Sequence, residues 1–287
     1  MVADAAYATC LGIARRHSEN FPVASRLLSS PLRPHVAAIY AFARIADDFA
    51  DEGDRAADAR LALLDDWGRR LRQAATGPVA RDGSEAADVF TALRETIVSR
   101  RLDVRLFEDL LSAFRQDVLV TRYDTWDALL DYCRRSANPV GRLVLGVADY
   151  HDPALDRHSD ALCTALQLTN FWQDLARDFL KGRVYVPRDL LTAAGADERD
   201  LQSGCLSAAW RSVLVDVAAR TRRLFDEGRP VAGRVQGRLK WELRATWIGG
   251  RRVLDRLERA DFDVFNHRPE LTWRDAAVIG WRAVAWR

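Results

Sequence analysis

Apolar residues recur every three to four positions along almost the whole chain, a pattern that predicts helices and little else. It is clearest in FEDLLSAFRQDVLV, 107–120, inside a helix expected over 104–121 with Asp103 as its N-cap. Further helices are expected over 4–17, 34–52, about 55–75, 86–98, about 207–227, 231–259 and 273–286. Thr125 caps another, carrying LLDYCRRSANPVGRLVLGVA, which Pro139 should break or kink in mid-course. The stretch 160–187 is the most telling. Read as a helix, it carries Leu162, Ala165, Leu168, Phe171, Trp172, Leu175 and Phe179, so nearly every face is apolar. A helix of that kind belongs inside a protein. The loop TGPVARDGSEA, 76–86, reads as a surface connection because the same helical texture resumes on both sides, and 188–206 as a short helix and a loop. There is no internal repeat, G-x-G-x-x-G or P-loop, so no nucleotide fold is indicated. The expectation is a single all-α domain, 1–287, with about eight to twelve helices around a central cavity.

The polar exceptions on two apolar helices change that picture. Asn170, Asp174 and Asp178 stand at i, i+4 and i+8 and form one ridge, continued by Leu166 and flanked by Gln167. The helix over 34–52 repeats the device. Asp47 and Asp51 lie on the ridge of Val36 and Tyr40, with Ala43 and Arg44 alongside, opposite Phe42, Ile45 and Phe49. Asp48 points elsewhere and is a candidate to support them. A single acidic run is usually a solvated helix end. Two such runs on helices without a polar face are costly unless something positive neutralises them.

Hard Mg²⁺ suits that need. It takes one or two carboxylates and fills its remaining positions with water and substrate phosphate oxygens. The chemistry implied is Mg²⁺-assisted departure of a diphosphate, with nearby aromatic rings shielding a carbocation. Lys181 and Arg183, bracketing Gly182 just past the second ridge, either hold the departing diphosphate or simply end the helix favourably through its dipole. Gly249–Gly250 permits either close helix approach or room for a ligand.

Composition adds exclusions. Apolar residues are 48% of 287, enough for a sizeable core. A net charge of +2 gives no bulk attraction to nucleic acid or to an anionic membrane. Cys10, Cys133, Cys163 and Cys205 lack zinc spacing and read as reduced core residues. With no signal pattern and no transmembrane run, a cytoplasmic protein is expected. The exception is WRDAAVIGWRAVAWR, 273–287, whose tryptophans and arginines suit a closing bundle helix or, alternatively, an interfacial membrane contact.

At DDFAD (47–51) and NFWQDLARD (170–178), followed by KGRVYVP, the chain resembles the squalene/phytoene synthase family. HSENFPVASRLL (17–28), IYAFARIADD (39–48), YCRRSANPVG (132–141) and WELRATWIGGRRVL (241–254) extend the resemblance in order over nearly the whole chain. It implies a class I isoprenoid synthase bundle, with three Mg²⁺ held by Asp47, Asp51, Asn170, Asp174 and Asp178, and Asp48 as a possible further ligand. It implies diphosphate contact from His17 and Ser18, with Phe21 at the pocket entrance, and prenyl-lining positions at Tyr132, Ala137, Val140 and Gly141. Arg44, Lys181 and Arg183 are its diphosphate holders. Tyr40, Gln167 and Tyr185 join the substrate-binding set, with Phe171 and Trp172 as walls that could instead face outward. Gln173 stands where many members have Arg, and Asn138–Pro139 departs from the phytoene-type pattern, supplying a polar group or water site near the cation.

NFPVAS, SANPVG and NFWQD resemble the branch of the bacterial hopanoid pathway that converts presqualene diphosphate and water to hydroxysqualene and diphosphate, without NADPH. Rival readings are head-to-head condensation to presqualene diphosphate, squalene or phytoene, then a terpene cyclase or chain-elongating prenyl transferase, then a non-catalytic helical protein whose acids bind structural cations. Expected partners are a prenyl diphosphate, no nucleic acid, a possible peripheral membrane contact and possible pathway-enzyme partners.

Overall fold

The computed structural model describes residues 2–16, 29–80 and 82–286. Among them are thirteen α-helices: α1 Val2–Arg16, α2 Arg33–Asp51, α3 Ala57–Thr76, α4 Glu85–Arg100, α5 Val104–Leu119, α6 Trp126–Ser136, α7 Asn138–Val147, α8 Pro153–Leu180, α9 Arg188–Ala194, α10 Ala208–Gly228, α11 Val231–Arg234, α12 Gly237–Arg259 and α13 Trp273–Ala285. A 3-10 turn covers Glu198–Ser203. The fold is all-α, and the described residues hold one isolated bridge, Arg122 to Val184, in place of any strand.

Thirteen helices exceed the eight to twelve expected, because two long patterns are interrupted. The segment after Thr125 does not merely kink: α6 ends at Ser136 and α7 starts at Asn138, with Ala137 between. Pro139 then lies in the first turn of α7, where its missing N–H costs nothing. The pattern at 231–259 divides into α11 and α12, with Val235 and Gln236 extended between them. The helix expected from 160 begins at Pro153, where Asp152 Oδ1 accepts from the Ala154 N–H at 2.8 Å.

The chain divides into two compact units, the described residues of Met1–Leu119 with Pro139–Asp156, and Val120–Asn138 with Arg157–Arg287. In the first, Phe42 of α2 meets the rings of Trp67, Phe90 and Phe107 at 5.4–6.1 Å. The Trp67 indole N–H is satisfied by the Phe42 carbonyl at 3.2 Å. Each such ring buried contributes roughly 2–3 kcal/mol. Tyr7 and Thr96 both bond His35 Nδ1 at 3.0 Å, and burial, with Arg100, pulls the imidazole pKa down.

In the second unit α8 is the axis. A Cβ on Gly228 of α10 would stand 2.7 Å from the Leu162 backbone N, and one on Gly250 of α12 would stand 2.4 Å from Leu166 Cδ2 and 2.9 Å from Phe225. The Gly250 position is therefore a close helix approach, settling that alternative for packing. Cys10 and Cys133 are buried, and desolvation pushes the Cys10 thiol up to about 12. Cys163 is half-buried and Cys205 exposed, so the reading of all four as core residues is corrected. No helix among the described residues is long and apolar enough to cross a membrane.

Candidate active site

Burial along α8 sorts its side chains into two sets. Leu162, Ala165, Leu168, Phe171, Trp172 and Leu175 are buried, whereas Leu166, Gln167, Asp174 and Asp178 are half-buried and Asn170 exposed. The acid ridge is thus an accessible strip on a helix that buries most of its apolar side chains between Leu162 and Leu175. This corrects the expectation of buried carboxylates: the other faces take up the packing, and charge on the strip left open costs little desolvation. On α2, Val36, Ala38, Ile39, Phe42 and Ala46 are buried, Tyr40 is half-buried, and Asp51 is exposed. Arg44 reaches Asp48 at 2.7 Å, Glu52 at 2.8 Å and Asp47 at 3.5 Å. Asp48 therefore shares its cation with Asp47 instead of pointing away from it.

Asp174 has a cation of its own. Arg268 Nε donates to Oδ1 at 2.6 Å and Nη2 to Oδ2 at 3.1 Å, the two-pronged arrangement that suits a carboxylate. This bond is the main cause raising the Arg268 pKa. Next to it, the Gln173 amide donates to the Pro269 carbonyl. Sequence reasoning missed Arg268, since HRPE carries no periodicity and lies far along the chain from Asp174.

The donors fit Mg²⁺ in kind: they are hard carboxylate and amide oxygens spaced one turn apart, each ridge already matched to positive charge. Among the described residues no three His, Cys, Asp or Glu groups stand together as a preassembled metal cluster. Mg²⁺ needs no such cluster, because water and phosphate oxygens complete its sphere. His17, Ser18 and Phe21 lie outside the described residues.

The end of α8 positions the aromatic part. Gly182 takes φ +76, the Arg183 N–H bonds the Asp178 carbonyl at 2.8 Å, and the Gly182 N–H bonds that of Phe179 at 2.9 Å. Lys181 is exposed at this cap and Arg183 half-buried, so both belong to the helix terminus. Arg122 grips the Gly182 carbonyl at 2.6 Å and both oxygens of Glu198 at 2.8 Å. The chain then pairs with 121–124: Val184 N bonds Thr121 O at 3.0 Å, and Arg188 N bonds Tyr123 O at 2.9 Å. That pairing lays Tyr185 flat on Phe171, centroids 3.7 Å apart, with Tyr123 at 5.8 Å and Tyr132 at 6.2 Å.

Four rings therefore gather around Phe171, one residue after Asn170 on α8. Tyr123 was not foreseen; its one signal was an aromatic in the short TRYDT connection. Trp172 is no part of this group. It stacks on Trp126 at 6.5 Å and donates to Thr221 Oγ1 at 2.9 Å, facing the core of α10. Asn138 and Ala137 are buried at the α6–α7 break, and the Thr164 hydroxyl of α8 donates to Asn138 Oδ1 at 2.9 Å. Val140 and Gly141 follow on α7, half-buried.

An all-α fold, aspartate ridges on two helices and a tyrosine–phenylalanine cluster beside one of them define a class I type of isoprenoid synthase. The chain belongs to the squalene/phytoene synthase family, whose model matches residues 14–275. A hydroxysqualene synthase of Zymomonas mobilis is 43% identical over 212 residues, covering 72% of this chain and 67% of the relative. One from Sinorhizobium fredii is 37% identical over 250 residues, covering 86% and 82%. The crystal structure of squalene synthase HpnC from Alicyclobacillus acidocaldarius superposes with a TM-score of 0.83 at 38% identity, covering 91% of this chain and 95% of that one. The chain is an enzyme of this family.

Proposed function

We propose that this enzyme converts presqualene diphosphate and water to hydroxysqualene and diphosphate, a step of squalene and hopanoid biosynthesis. Processing of a prenyl diphosphate follows from the family and from its hydroxysqualene synthase relatives. What carries the finer reading is one stretch of α8. Thr164, which holds Asn138, Phe171 of the ring cluster, and the ridge Asn170–Asp174–Asp178 follow one another on a single helix. At 1.5 Å rise per residue, Thr164 and Phe171 are about 10 Å apart along it.

Synthases of this family generally use Mg²⁺. Here Asp47, Asp51, Asn170, Asp174 and Asp178 would hold three ions, with Asp48 in support, and the metal would supply charge compensation on the leaving oxygens. Arg44, Lys181 and Arg183 bind the diphosphate, with His17 and Ser18 added from the segment before α2. Tyr40, Gln167, Ala137, Val140, Gly141 and Phe21 line the prenyl chains. The C–O bond breaks with its electron pair leaving on diphosphate, and the cyclopropylcarbinyl cation rearranges beside the faces of Tyr123, Tyr132, Phe171 and Tyr185, which disperse its charge. Because Asn138 Oδ1 is taken by Thr164, its amide N–H is the end left for water. That water accepts from the N–H through one lone pair, attacks the cation with the other and passes its proton to the released diphosphate. No hydride is consumed, so NADPH has no role.

In this reading both compact units act as one catalytic domain, since the family match runs through both. It also carries a peripheral membrane contact, and contact with the enzymes that supply and consume these prenyl compounds. Incubating the protein with labelled presqualene diphosphate and Mg²⁺, with and without NADPH, should give hydroxysqualene in equal amounts. Asn138→Ala should divert product to eliminated or otherwise quenched hydrocarbons. Condensation of two farnesyl diphosphates that stops at presqualene diphosphate would assign the chain to the condensing branch and leave the metal and diphosphate roles standing.

A further inference from the structure

Helix α13 is inverted for a surface helix. Its inner face is firmly held. Asp275, 1% exposed, pairs with Arg252 at 2.5 Å and Arg256 at 2.7 Å and closes a capping box with Thr272. At the other end Arg244 donates to the Ala283 carbonyl at 2.8 Å, and Arg229 lies over the ring of Trp286 at 5.3 Å.

Opposite that face, at i, i+4, i+7, i+8 and i+11, stand Trp273, Ala277, Gly280, Trp281 and Val284, all exposed. On a surface helix this ridge is ordinarily polar. Trp273 is 80% exposed, Trp281 71% and Val284 69%, and Leu271 just before the helix adds to them. The exposed charges of the helix are Arg274 and Arg282; its one acid, Asp275, is buried and spent on arginines. Beside Trp273 lies a depression of about 510 Å³ lined by Arg252, Arg256 and Arg274 against the single Asp275.

We infer that α13 is a membrane-docking surface that lies flat on lipid carrying anionic headgroups. Indoles settle at the level where headgroups meet acyl chains, being apolar in body and polar at one N–H. Arginines at the flank of the ridge supply the attraction to negative lipid, and the length of the helix suits the interface plane and not a span. A docked second copy would bury the same tryptophans, but it would bring Arg274 and Arg282 up to the same cations. Anionic lipid resolves that conflict. The inference rests on the membrane part of the proposed function and not on the identity of the product, so the two are tested apart.

Flotation of the full chain with vesicles of phosphatidylcholine, with and without one-third phosphatidylglycerol, reads it directly. Binding is expected to the phosphatidylglycerol vesicles, to weaken with added salt, and to be slight on the neutral ones. Each arginine near a negative surface contributes about fivefold, so R274Q/R282Q should lower partitioning by roughly 25-fold. Trp273→Ser with Trp281→Ser should lower it by about tenfold or more, with helical circular dichroism unchanged. Binding that is absent in the wild type, or equal in the wild type and both double variants, would overturn the inference. So would a dimer in sedimentation that the tryptophan variants dissociate. Turnover of detergent-dispersed substrate, read separately, should be the same in all three proteins.

Discussion

Asp174 shows what a carboxylate on an accessible strip can do that a buried one cannot. Both its oxygens are occupied by Arg268, at 2.6 and 3.1 Å, with Arg177 at 3.8 Å, yet 17% of the side chain stays open to solvent. Asp47 stands likewise near Arg44. In each case the negative charge is matched by a side chain that can let go, which a fully desolvated ion pair resists. If these acids hold the metal that meets the leaving diphosphate, Asp47→Asn and Asp174→Asn should each lower kcat by about a thousand-fold, on the scale of a lost transition-state charge contact. Helical circular dichroism should stay unchanged, because neither side chain is in the core. Near-normal turnover at saturating Mg²⁺ in either variant would remove that residue from the site. The spacing of these acids was legible from sequence because i, i+4 geometry is local. Arg268 was not, because a partner approaching from an irregular segment leaves no periodic trace.

At the level of elements, the pattern of apolar positions placed every long helix, because burial of one face sets its period wherever the helix lies. It overran at two points. The α6–α7 break and the α11–α12 break cut patterns that continue in register on both sides, and only Pro139 announced one of them. The aromatic quartet was half-legible for a similar reason: Tyr132 and Phe171 sit on helices, whereas Tyr123 and Tyr185 are brought in by loop pairing between 121–124 and 184–189. Helix α13 shows how one residue anchors an element. Its N-terminal turn is fixed by Asp275, whose carboxyl is held well below the usual range, first by the Thr272 backbone N–H and then by Arg252 and Arg256. A folded-state pKa below the unfolded value of about 3.9 stabilises the protein above that value, and the contribution is lost as pH falls through the lower range. Asp275→Asn should therefore melt below wild type at pH 7, and the gap should narrow as pH drops below about 4. A gap of constant size over that range would mean the ion pairs are not its source.

For the whole molecule the acids of the two ridges belong to different compact units, while one family match covers both. The ligand-free chain already balances those acids with its own arginines, Arg44 on α2 and Arg268 against Asp174. If these acids hold Mg²⁺ as proposed, Mg²⁺ alone must compete with guanidinium for the carboxylates, and diphosphate alone must draw guanidinium away from them. Added together the two costs cancel. On that proposal, arginines released from carboxylate would become free to bind diphosphate, and diphosphate oxygens would fill the positions that one or two carboxylates leave to Mg²⁺. Such coupling is reciprocal, each ligand tightening the other. A ligand that binds only the folded state adds about 2.7 kcal/mol at 100 times its Kd. For a chain of this size that raises Tm by roughly 5 °C or more. The melting temperature should therefore rise with Mg²⁺ and diphosphate together by clearly more than the sum of the separate shifts. Arg268→Ala should shrink the excess while leaving the Mg²⁺-only shift equal or larger, since Asp174 then has no competitor to lose. Strictly additive shifts in the wild type would mean that metal and diphosphate do not share these arginines and acids.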